Sequence, residues 1–499
     1  MRAAYSLGMI PRRTVIVGAG LSGLACGFDL SRAGDDVLVL EAGARAGGVV
    51  SSIEKDGFLF EEGPHTIQAS SEEFRHLCGD LGLAGHLISA DGRAKRWLWF
   101  HGELVALPSS LTSLYTTKLL SRRAKAYISS EPLRTFVPPD EGAPEISFAE
   151  FLEERIGREP TRLFAGAFTR GIYAAEIEEL GARSAFPRLW QLACDHGGLV
   201  RGMFAGKKRS RAPLPGPDVA RSALLSFPRG LRELTEALAR ALGPRLRTNA
   251  KVERIVRLQR GYGVVLANGA SFAADNVVLA VPAPVAAALL DELVRDHAAS
   301  REHHASAGQR SASAGQHDAG ARDLAAPLRA IHHAHVTVVH LGLEPGIAVP
   351  PGFGYLVPPD AEAQGSKAPL ALGTICTSNL FPGRAPAGRS SVASFYRGAD
   401  VEKFDDVRLV EVACADLGLA IGATTAPRAP THNIRRWSHV IPRYAPEHAA
   451  RMSALEAELR RALPGVELAS SFVGGVSVDN VIARGRSIAR KIQATGVLA

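Results

Sequence analysis

Three elements are predicted at the start of the chain from its pattern of apolar and polar positions. Residues 14–17 form an apolar run typical of a buried strand, residues 24–30 have helical spacing, and residues 36–41 predict a second strand that ends in an acid. A glycine-rich turn joins the first strand to the helix, and it reads Gly18-Ala19-Gly20-Leu21-Ser22-Gly23. This order predicts the first β-α-β unit of a parallel sheet.

Further strands are predicted far downstream. Residues 249–256 alternate like a strand, and residues 262–267 and 270–273 predict two more on either side of Asn268-Gly269, a strong hairpin signal, so we expect an antiparallel meander. Residues 276–281 are mostly apolar and predict a buried strand. We expect this part of the chain to return to the first unit, which makes residues 90–220, rich in helix signals, an insertion.

The second half of the chain predicts a separate sheet and a closing helix. Residues 336–341, 370–375 and 392–396 have the pattern of strands, and residues 470–489 read as strand, glycine turn and helix. The tract from 297 to 323 is rich in Ala, Ser, Gly and His and has no apolar period, so we expect a mobile loop.

Composition limits the class of protein. The 499 residues are 46% apolar, which is enough for a large core, and 58 basic against 50 acidic residues give a formal charge of +8. The five cysteines are far apart, which argues against a disulfide framework or a zinc site and favours a cytoplasmic protein without a metal. No segment approaches the ~20 apolar residues of a membrane-spanning helix.

Two basic stretches bear on possible partners. Residues 114–125 mix leucines with four cations on a predicted helix, a pattern compatible with a headgroup layer or with a solvated helix face. Residues 207–211 read as a basic surface loop. Neither stretch has the interleaved aromatic residues of a single-stranded nucleic-acid platform, so we expect no nucleic-acid partner.

The glycine turn indicates a dinucleotide site. Gly18 permits a tight turn, Gly20 lets the backbone approach a pyrophosphate, and Gly23 allows the helix to pack closely on the strand. The helix N-terminus offers N–H groups to the phosphates, and Glu41, about twenty residues on, is placed to accept from ribose hydroxyls. This unit alone leaves NAD and FAD open.

The segment after Glu41 resembles the amine-oxidase-like flavoproteins. Arg45 and the pair Gly47-Gly48 follow that acid directly, and a Glu-Gly-Pro-His-Thr turn follows at 62–66. In that superfamily an Arg-x-Gly-Gly stretch follows the first β-α-β unit, and a Glu-x-Gly-Pro-type turn approaches the flavin. The resemblance therefore implies FAD, and because no cysteine lies near Gly474-Gly475 it implies FAD without a covalent link.

Five further stretches, in family order, resemble the oxygen-dependent protoporphyrinogen oxidases, FAD enzymes of haem biosynthesis. These stretches are 95–108, 170–190, 226–231, 352–358 and 474–478. The resemblance implies that Arg96 pairs with a substrate propionate, that Gly171 lies where the backbone meets the tetrapyrrole, and that Phe353 packs on a pyrrole ring. Ala174-Ala175 departs from the family pattern, and no Gly-Asn dipeptide precedes the last motif.

The motifs and the resemblance together give the expected site. Its cofactor-binding residues are Gly18, Ala19, Gly20, Leu21, Ser22, Gly23, Glu41, Ala42, Arg45, Gly47, Gly48, Val49, Gly63, Pro64, His65, Thr66, Val252, Trp437, Gly475, Val476, Ser477 and Val478. The substrate-binding residues are Arg96, Gly171 and Phe353, and no general base is assigned.

The expected fold class is α/β, with a Rossmann-like FAD-binding domain that includes the meander, a mixed-sheet substrate domain, and a helical insertion able to contact a membrane. The domains are predicted to alternate along the chain. They are the FAD-binding domain at 1–90, 221–290 and 431–499, the helical insertion at 91–220, a low-complexity loop at 291–325 and the substrate sheet at 326–430.

The resemblance implies a six-electron oxidation of protoporphyrinogen IX to protoporphyrin IX, with O2 as acceptor and H2O2 as product. A coproporphyrinogen III oxidase is the nearest alternative, since its substrate differs in carrying four carboxylates. An amine oxidase, a carotenoid desaturase or a flavin-binding scaffold without turnover are more distant ones. A cytoplasmic location, with a peripheral place on the membrane and a homodimer both left open, completes the expectation.

Overall fold

The computed structural model describes residues 13–140, 142–205, 213–306, 323–362 and 367–496. The chain forms two compact units, each assembled from separate stretches. The first unit contains Met1–Gly48, Leu234–Ala330 and Met452–Ala499, and the second contains Val49–Glu233 and Ile331–Arg451. Among the described residues, no helix has both the length and the apolar character needed to cross a bilayer.

A parallel sheet forms the centre of the first unit. Its five strands, in spatial order, are Leu246–Arg247, Asp36–Leu40, Arg13–Val17, Asn276–Leu279 and Val466–Leu468. The central strands are almost continuous apolar runs, and Val15, Ile16, Val277 and Val278 have no exposed surface. Such runs are typical of parallel strands that are covered on both faces.

The rest of the first unit consists of an antiparallel meander and helices. The meander strands are Val252–Arg257, Tyr262–Leu266 and Ser271–Ala274. The helices are Leu21–Arg32, the part of Arg232–Leu242 after 233, Gly243–Arg245, Ala283–Ser306, Ala326–Arg329, the part of His448–Ala462 after 451, Ser471–Gly474 and Val478–Gly496. The meander and the closing helix were both predicted from the sequence.

One prediction for this unit needs correction. The loop expected at 291–325 is helical in its first part, because the helix Ala283–Ser306 continues through it. Alanine, arginine, glutamate and leucine make up eight of the sixteen residues from 291 to 306, and they favour a helix even without an apolar period. Residues 307–322 of the predicted loop lie outside the described residues, and residues 323–325 precede the helix Ala326–Arg329.

A seven-stranded mixed sheet dominates the second unit. Its strands, in spatial order, are Thr431–Pro442, His333–Gly342, Ser391–Arg397, Gly373–Ile375, Gly354–Leu356, Arg96–Phe100 and Glu103–Ala106. Neighbouring strands are antiparallel except that Gly354–Leu356 and Arg96–Phe100 run parallel. Residues 431–442, which the sequence assigned to the FAD-binding domain, form the edge strand of this sheet.

One face of the seven-stranded sheet is covered by the helix Asp406–Ile421. Val339, Leu341 and Tyr396 on that face are fully buried against Leu409 and other apolar residues of the helix. At the far end of the sheet, the opposite face is covered by helices of the insertion, where Leu98 packs with other leucines and alanines from 119 to 167. The part of this opposite face between the two ends carries the candidate site described below.

Helices make up most of the insertion. They are Leu111–Thr116, Arg122–Ser129, Glu131–Leu133, Phe148–Ile156, Arg158–Pro160, the π-helix Thr161–Gly166, Ala167–Tyr173, Ile177–Glu179, Ala182–Ala185, Pro187–His196 and Leu199–Ala205. The single helix predicted across 114–125 is two helices. Thr117 is extended and ends the first helix, and the Ser121 hydroxyl accepts from Ala124 N–H and caps the second.

Smaller elements complete the second unit. Ser52–Lys55 and Phe58–Glu61 form a hairpin, and Ile67–Gln68, Leu224–Ser226 and Ile88–Ala90 form a three-stranded sheet. The remaining helices of the second unit are Glu72–Asp80, Ala84–His86, Thr377–Leu380 and Gly398–Val401.

Candidate active site

The glycine turn of the first unit is built for close contacts. Gly18 has φ +101°, and a Cβ there would lie 2.5 Å from the carbonyl oxygen of Ala280. A Cβ on Gly23 would lie 2.1 Å from the carbonyl oxygen of Gly18. Neither position can hold a side chain without moving backbone.

Gly20 has a different environment. It precedes the helix Leu21–Arg32, and no atom of the described residues lies within 4 Å of a Cβ built on it. The hydroxyl of Ser22, in the first turn of that helix, is buried and has no hydrogen-bond partner in the described part of the chain. An open backbone, an unpartnered hydroxyl and a helix N-terminus fit a bound phosphate group.

Glu41 lies against this turn, as the sequence predicted. Its carboxylate accepts from Ala19 N–H and from Gly43 N–H, each at 2.8 Å. Since each carboxylate oxygen can accept two hydrogen bonds, capacity remains for ribose hydroxyls.

The segment after Glu41 packs on the same turn. Gly47 N–H donates to the carbonyl oxygen of Ala19 at 2.8 Å, and the guanidinium of the exposed Arg45 donates to Gly48 O at 3.1 Å. Ala42 is exposed beside them. The structure thus brings the predicted residues from Gly18 to Gly48 into one region of the first unit.

The closing helix Val478–Gly496 packs on the opening helix Leu21–Arg32. A Cβ on Gly485 would lie 2.2 Å from the carbonyl oxygen of Ser22, and Arg486 Nε donates to Asp29 Oδ2 at 3.0 Å. Gly475 has φ +110°, and the Ser477 hydroxyl accepts from Asn480 N–H at the helix start. Val476 and Val478 flank Ser477, and Val252 lies in the meander of the same unit.

The other predicted cofactor residues belong to the second unit. A Cβ on Gly63 would lie 2.0 Å from Val49 O, and Trp437 Nε1 donates to Glu62 O at 2.7 Å. The indole N–H of Trp437 therefore supports the turn that contains Gly63, Pro64, His65 and Thr66. His65 is buried within this turn, with Nδ1 2.9 Å from Gly63 O.

The remaining polar groups lie on one face of the seven-stranded sheet. Residues paired directly across neighbouring strands point to the same face, and the pairing runs from Arg96 through Gly354, Ile375, Ala393 and His340 to Asn433. The adjacent row on that face runs through Leu356, Gly373, Phe395 and Val338 to Arg435, with Trp437 beyond it. We call this surface the Arg96 face.

The three predicted substrate residues meet at one short strand of the Arg96 face, Gly354–Leu356. Phe353 N–H donates to Lys95 O at 2.8 Å, and the Arg96 guanidinium carbon lies 5.0 Å from the centre of the Phe353 ring. A Cβ on Gly171 would lie 2.6 Å from Leu356 Cδ2. An arginine, an aromatic ring and a closely approaching backbone therefore share one place, although they come from distant parts of the sequence.

Partial burial lowers the pKa of Arg96 without removing its charge at neutral pH. Its Nη1 donates to Gly92 O at 2.9 Å, and no carboxylate lies within ion-pair distance of it among the residues that the structure describes. A half-exposed guanidinium in that state can pair with a ligand carboxylate.

Sequence reasoning missed two residues of this face. His340 is fully buried, with Nε2 2.7 Å from Glu61 O, and Arg435 stacks on the Trp437 ring with its guanidinium carbon 4.1 Å from the ring centre. The two-residue period of a strand is the signal that places them on this face. His340 lies two residues after Val338, and Arg435 lies two residues before Trp437.

A buried pair lies beneath the Glu-Gly-Pro turn. Arg384 and Glu61 are each 2% exposed, and their charged atoms are 3.7 Å apart. Burial raises the pKa of the Glu61 carboxyl to about 7, while its bonds to Ser52 and Leu231 N–H and the charge of Arg384 act in the opposite direction. Two hydrogen-bond donors, Ser52 Oγ and Leu231 N–H, hold this carboxyl group beside the Arg384 guanidinium and so fix the backbone that leads into the turn.

Comparison with known proteins assigns the chain to a family. A model of the flavin-containing amine oxidoreductases matches residues 21–493. The chain belongs to this family. It is a flavin oxidoreductase, and the membership that its motifs indicated, in the amine-oxidase-like flavoproteins, is confirmed.

Similar proteins narrow the comparison further. Chloroplastic protoporphyrinogen oxidase of Nicotiana tabacum is 29% identical over 97% of this chain and 85% of its own length, and coproporphyrinogen III oxidase of Bacillus subtilis is 24% identical over 95% and 97%. Among solved structures, one from Exiguobacterium sp., provisionally named a protoporphyrinogen oxidase, has a TM-score of 0.77 at 22% identity and covers 98% of this chain and 100% of its own.

The same fold also serves another activity. A UDP-galactopyranose mutase has a TM-score of 0.68 at 15% identity, with 97% of this chain and 96% of its own covered. These structures therefore confirm the predicted α/β fold, whereas the substrate has to be argued from the site.

Proposed function

We propose that this flavin oxidoreductase converts protoporphyrinogen IX to protoporphyrin IX, with FAD as cofactor and O2 as acceptor. The substrate loses six electrons and six hydrogens in three rounds, and each round reduces one O2 to one H2O2, so atoms and electrons balance. The observation that carries this proposal is the meeting of Arg96, Phe353 and Gly171 at the strand Gly354–Leu356. The family resemblance to the tobacco protein supports the same substrate.

Each of these residues has a task that follows from its chemistry. The guanidinium of Arg96 forks onto a propionate carboxylate, and the Phe353 ring offers an apolar face to a pyrrole. Gly171 has no side chain, which lets the helix Ala167–Tyr173 pack closely on Leu356, beside the place proposed for the macrocycle. Binding in a fixed orientation is the main contribution of these residues, and we assign no general base.

FAD is supported by the first unit. The open backbone at Gly20, the unpartnered Ser22 hydroxyl and the remaining acceptor capacity of Glu41 suit a pyrophosphate and a ribose. Bound FAD supplies a two-electron acceptor at its flavin ring. No cysteine occurs between Ser470 and Ala499, so we propose that FAD is held without a covalent link.

Coproporphyrinogen III is the second candidate substrate, because the Arg96 face carries another cation. Arg435 has no carboxylate within ion-pair distance among the described residues, and its Nε is buried without a hydrogen-bond partner there. A substrate with four carboxylates would have more use for such a cation than one with two.

The test compares the two porphyrinogens on the purified holoprotein in air, with porphyrin fluorescence as the readout. We expect kcat/KM to be higher for protoporphyrinogen IX. A higher value for coproporphyrinogen III would replace the proposed substrate, and no porphyrin from either would contradict the proposed reaction.

A peripheral contact with an anionic membrane is proposed for the two helices at 111–129. Tyr115 and Tyr127 are 51% and 40% exposed there, and Arg122 and Arg123 are exposed beside them. Sedimentation with vesicles rich in anionic lipid tests this contact. We expect binding that falls with added salt and is weakened in the double variant Arg122→Glu/Arg123→Glu, and equal binding of both proteins would contradict it.

A further inference from the structure

His65 is a buried histidine, and one of its two ring nitrogens has no hydrogen-bond partner among the described residues. Its side chain lies against two rings of the Arg96 face, with centroid distances of 6.0 Å to His340 and 5.3 Å to Phe395. The residue is 7% exposed, and its Nε2 is buried with no hydrogen-bond partner among the described residues.

The protonation state of His65 follows from its neighbours. Nδ1 lies 2.9 Å from Gly63 O, and a carbonyl oxygen only accepts, so Nδ1 carries the hydrogen and Nε2 carries a lone pair. Burial, together with the nearby His340 and Arg384, lowers the pKa of His65 to about 3. At neutral pH the ring is uncharged, and its Nε2 is an acceptor.

Nearby donors are already used. Trp437 Nε1 donates to Glu62 O, and His340 Nε2 lies 2.7 Å from Glu61 O, where it donates. A buried acceptor with no donor is costly and rare in native proteins. No described protein group supplies this donor, so it comes from a bound molecule or from water.

We propose that His65 Nε2 accepts a hydrogen bond from a ring N–H of the flat heterocycle that binds at the Arg96 face. This inference rests on the proposed function, which supplies two such donors. One is a pyrrole N–H of the porphyrinogen, which can tilt out of the ring because its methylene bridges are tetrahedral, and the other is the N3–H of the flavin. Either assignment makes His65 a binding residue.

Two variants separate the hydrogen bond from packing. His65→Phe keeps a ring against His340 and Phe395 but removes both nitrogens, whereas His65→Gln places an amide oxygen near the position of Nε2. His448→Gln is the matched control, because His448 is also a buried histidine, 5% exposed, and packs against Tyr444 instead of the Arg96 face.

The first measurement is FAD affinity of the apoprotein by quenching of flavin fluorescence, together with the pH at which bound flavin loses its N3 proton. The second is KM for protoporphyrinogen IX at saturating FAD. We expect His65→Phe to weaken one ligand by roughly 5- to 100-fold, and His65→Gln to restore most of that affinity. The control variant should leave both values unchanged.

The effects of the variants on FAD binding and on KM identify which ligand supplies the donor. A raised Kd for FAD with easier loss of the N3 proton assigns the flavin, and a raised KM with unchanged FAD binding assigns the pyrrole. If His65→Phe binds both ligands as the wild type does, Nε2 meets only water and the proposal is overturned. Failure of the proposed function is distinct, since a wild type that binds FAD but oxidises no porphyrinogen leaves the first measurement valid.

Discussion

Arg96 combines a positive charge with neighbours that, in the described part of the chain, supply no negative one. Its guanidinium donates to a backbone carbonyl and lies over the Phe353 ring, so both contacts hold the side chain in place and leave its charge uncompensated. Replacing Arg96 by Ala should raise KM for the porphyrinogen by roughly 10- to 100-fold, because a charge-assisted hydrogen bond is lost. FAD content should stay at the wild-type level.

Lys95→Ala is the control for this prediction. Lys95 is the neighbouring cation, but its ammonium lies 5.7 Å from the centre of the Trp97 ring, whose side chain belongs to the opposite face of the sheet. We expect the KM of the Lys95→Ala variant for the porphyrinogen to differ less than threefold from that of the wild type. Equal effects of both substitutions, or parallel loss of FAD and substrate affinity in Arg96→Ala, would contradict the role given to Arg96.

The Gly171→Ala variant tests whether a ligand contacts the helix Ala167–Tyr173 where that helix packs on the strand Gly354–Leu356. In Gly171→Ala the new methyl group would meet Leu356 Cδ2 at 2.6 Å, the end of a flexible side chain that can move. We expect a folded protein with normal FAD content and a raised KM, measured by steady-state porphyrin formation. A normal KM would show that no ligand contacts this position.

Gly354→Ala provides the contrast on the strand Gly354–Leu356 itself. Gly354 has φ +142°, and a Cβ there would lie 2.0 Å from Thr374 O, which is backbone. This variant should lose soluble expression instead of affinity, because the clash breaks the sheet.

Most of the local site could be predicted from the sequence, because glycines and acids at fixed spacing have local meanings. Gly18, Gly23 and Glu41 act within one turn, so their geometry follows from adjacent residues. His340 and Arg435 could not be found in this way, since the strands that carry them meet across about 90 residues of chain. Their place on the Arg96 face depends on strand register, which the local pattern does not give.

At the scale of elements, the close packing of the opening and closing helices requires a glycine at position 485. Gly485→Ala would place a methyl group 2.2 Å from Ser22 O, so the helices Leu21–Arg32 and Val478–Gly496 would have to separate. Because that shift displaces the turn before the first helix, we expect loss of FAD and a lower melting temperature, followed by flavin absorbance and thermal unfolding.

Gly85→Ala is a suitable comparison. No described atom lies within 4 Å of a Cβ at Gly85, and its φ is not in the left-handed region. The melting temperature and FAD content of this variant should match the wild type. A Gly485→Ala protein that keeps its FAD would contradict the coupling between the closing helix and the glycine turn.

Element boundaries were predicted less well than element types. The helix expected across 114–125 is interrupted by the extended Thr117, and residues 431–442, expected to belong to the FAD-binding domain, form a long edge strand of the seven-stranded sheet. The break in the helix is local, because Ser121 caps a new helix that begins at Arg122. The edge strand is fixed by its pairing with His333–Gly342, which local propensity cannot reveal.

At the scale of the whole molecule, buried histidines make stability depend on pH. Burial lowers the pKa of His65 to about 3 and of His333 to about 4, both from 6.5. Between these values and 6.5 the unfolded chain binds protons that the folded chain does not, so stability falls as pH falls. Glu61 acts oppositely, since its raised pKa makes stability fall as pH rises from 4.5 to about 7.

The His65→Phe variant isolates one of these contributions. Its urea unfolding midpoint should decline less steeply than that of the wild type as pH is lowered from 6.5 to 4, because one histidine no longer takes up a proton on unfolding. Parallel curves for the two proteins would show that His65 is not held neutral in the folded state.

The two units are discontinuous in sequence, and the chain passes from one to the other at residues 48, 233, 330 and 451. The predicted domains alternate in a similar way but with boundaries at 90, 220, 290 and 430. The alternation could be predicted because the parallel sheet needs strands from both ends of the chain. The exact residues at which the chain passes between the units could not be predicted, because they depend on which unit covers each apolar side chain.

The most direct test of the central claim is anaerobic mixing of the FAD-loaded protein with protoporphyrinogen IX, with flavin absorbance followed over time. We predict that the flavin bleaches, and that admitted O2 restores its colour and yields porphyrin fluorescence with three H2O2 per protoporphyrin. A flavin that stays oxidised in the presence of the porphyrinogen would contradict the account.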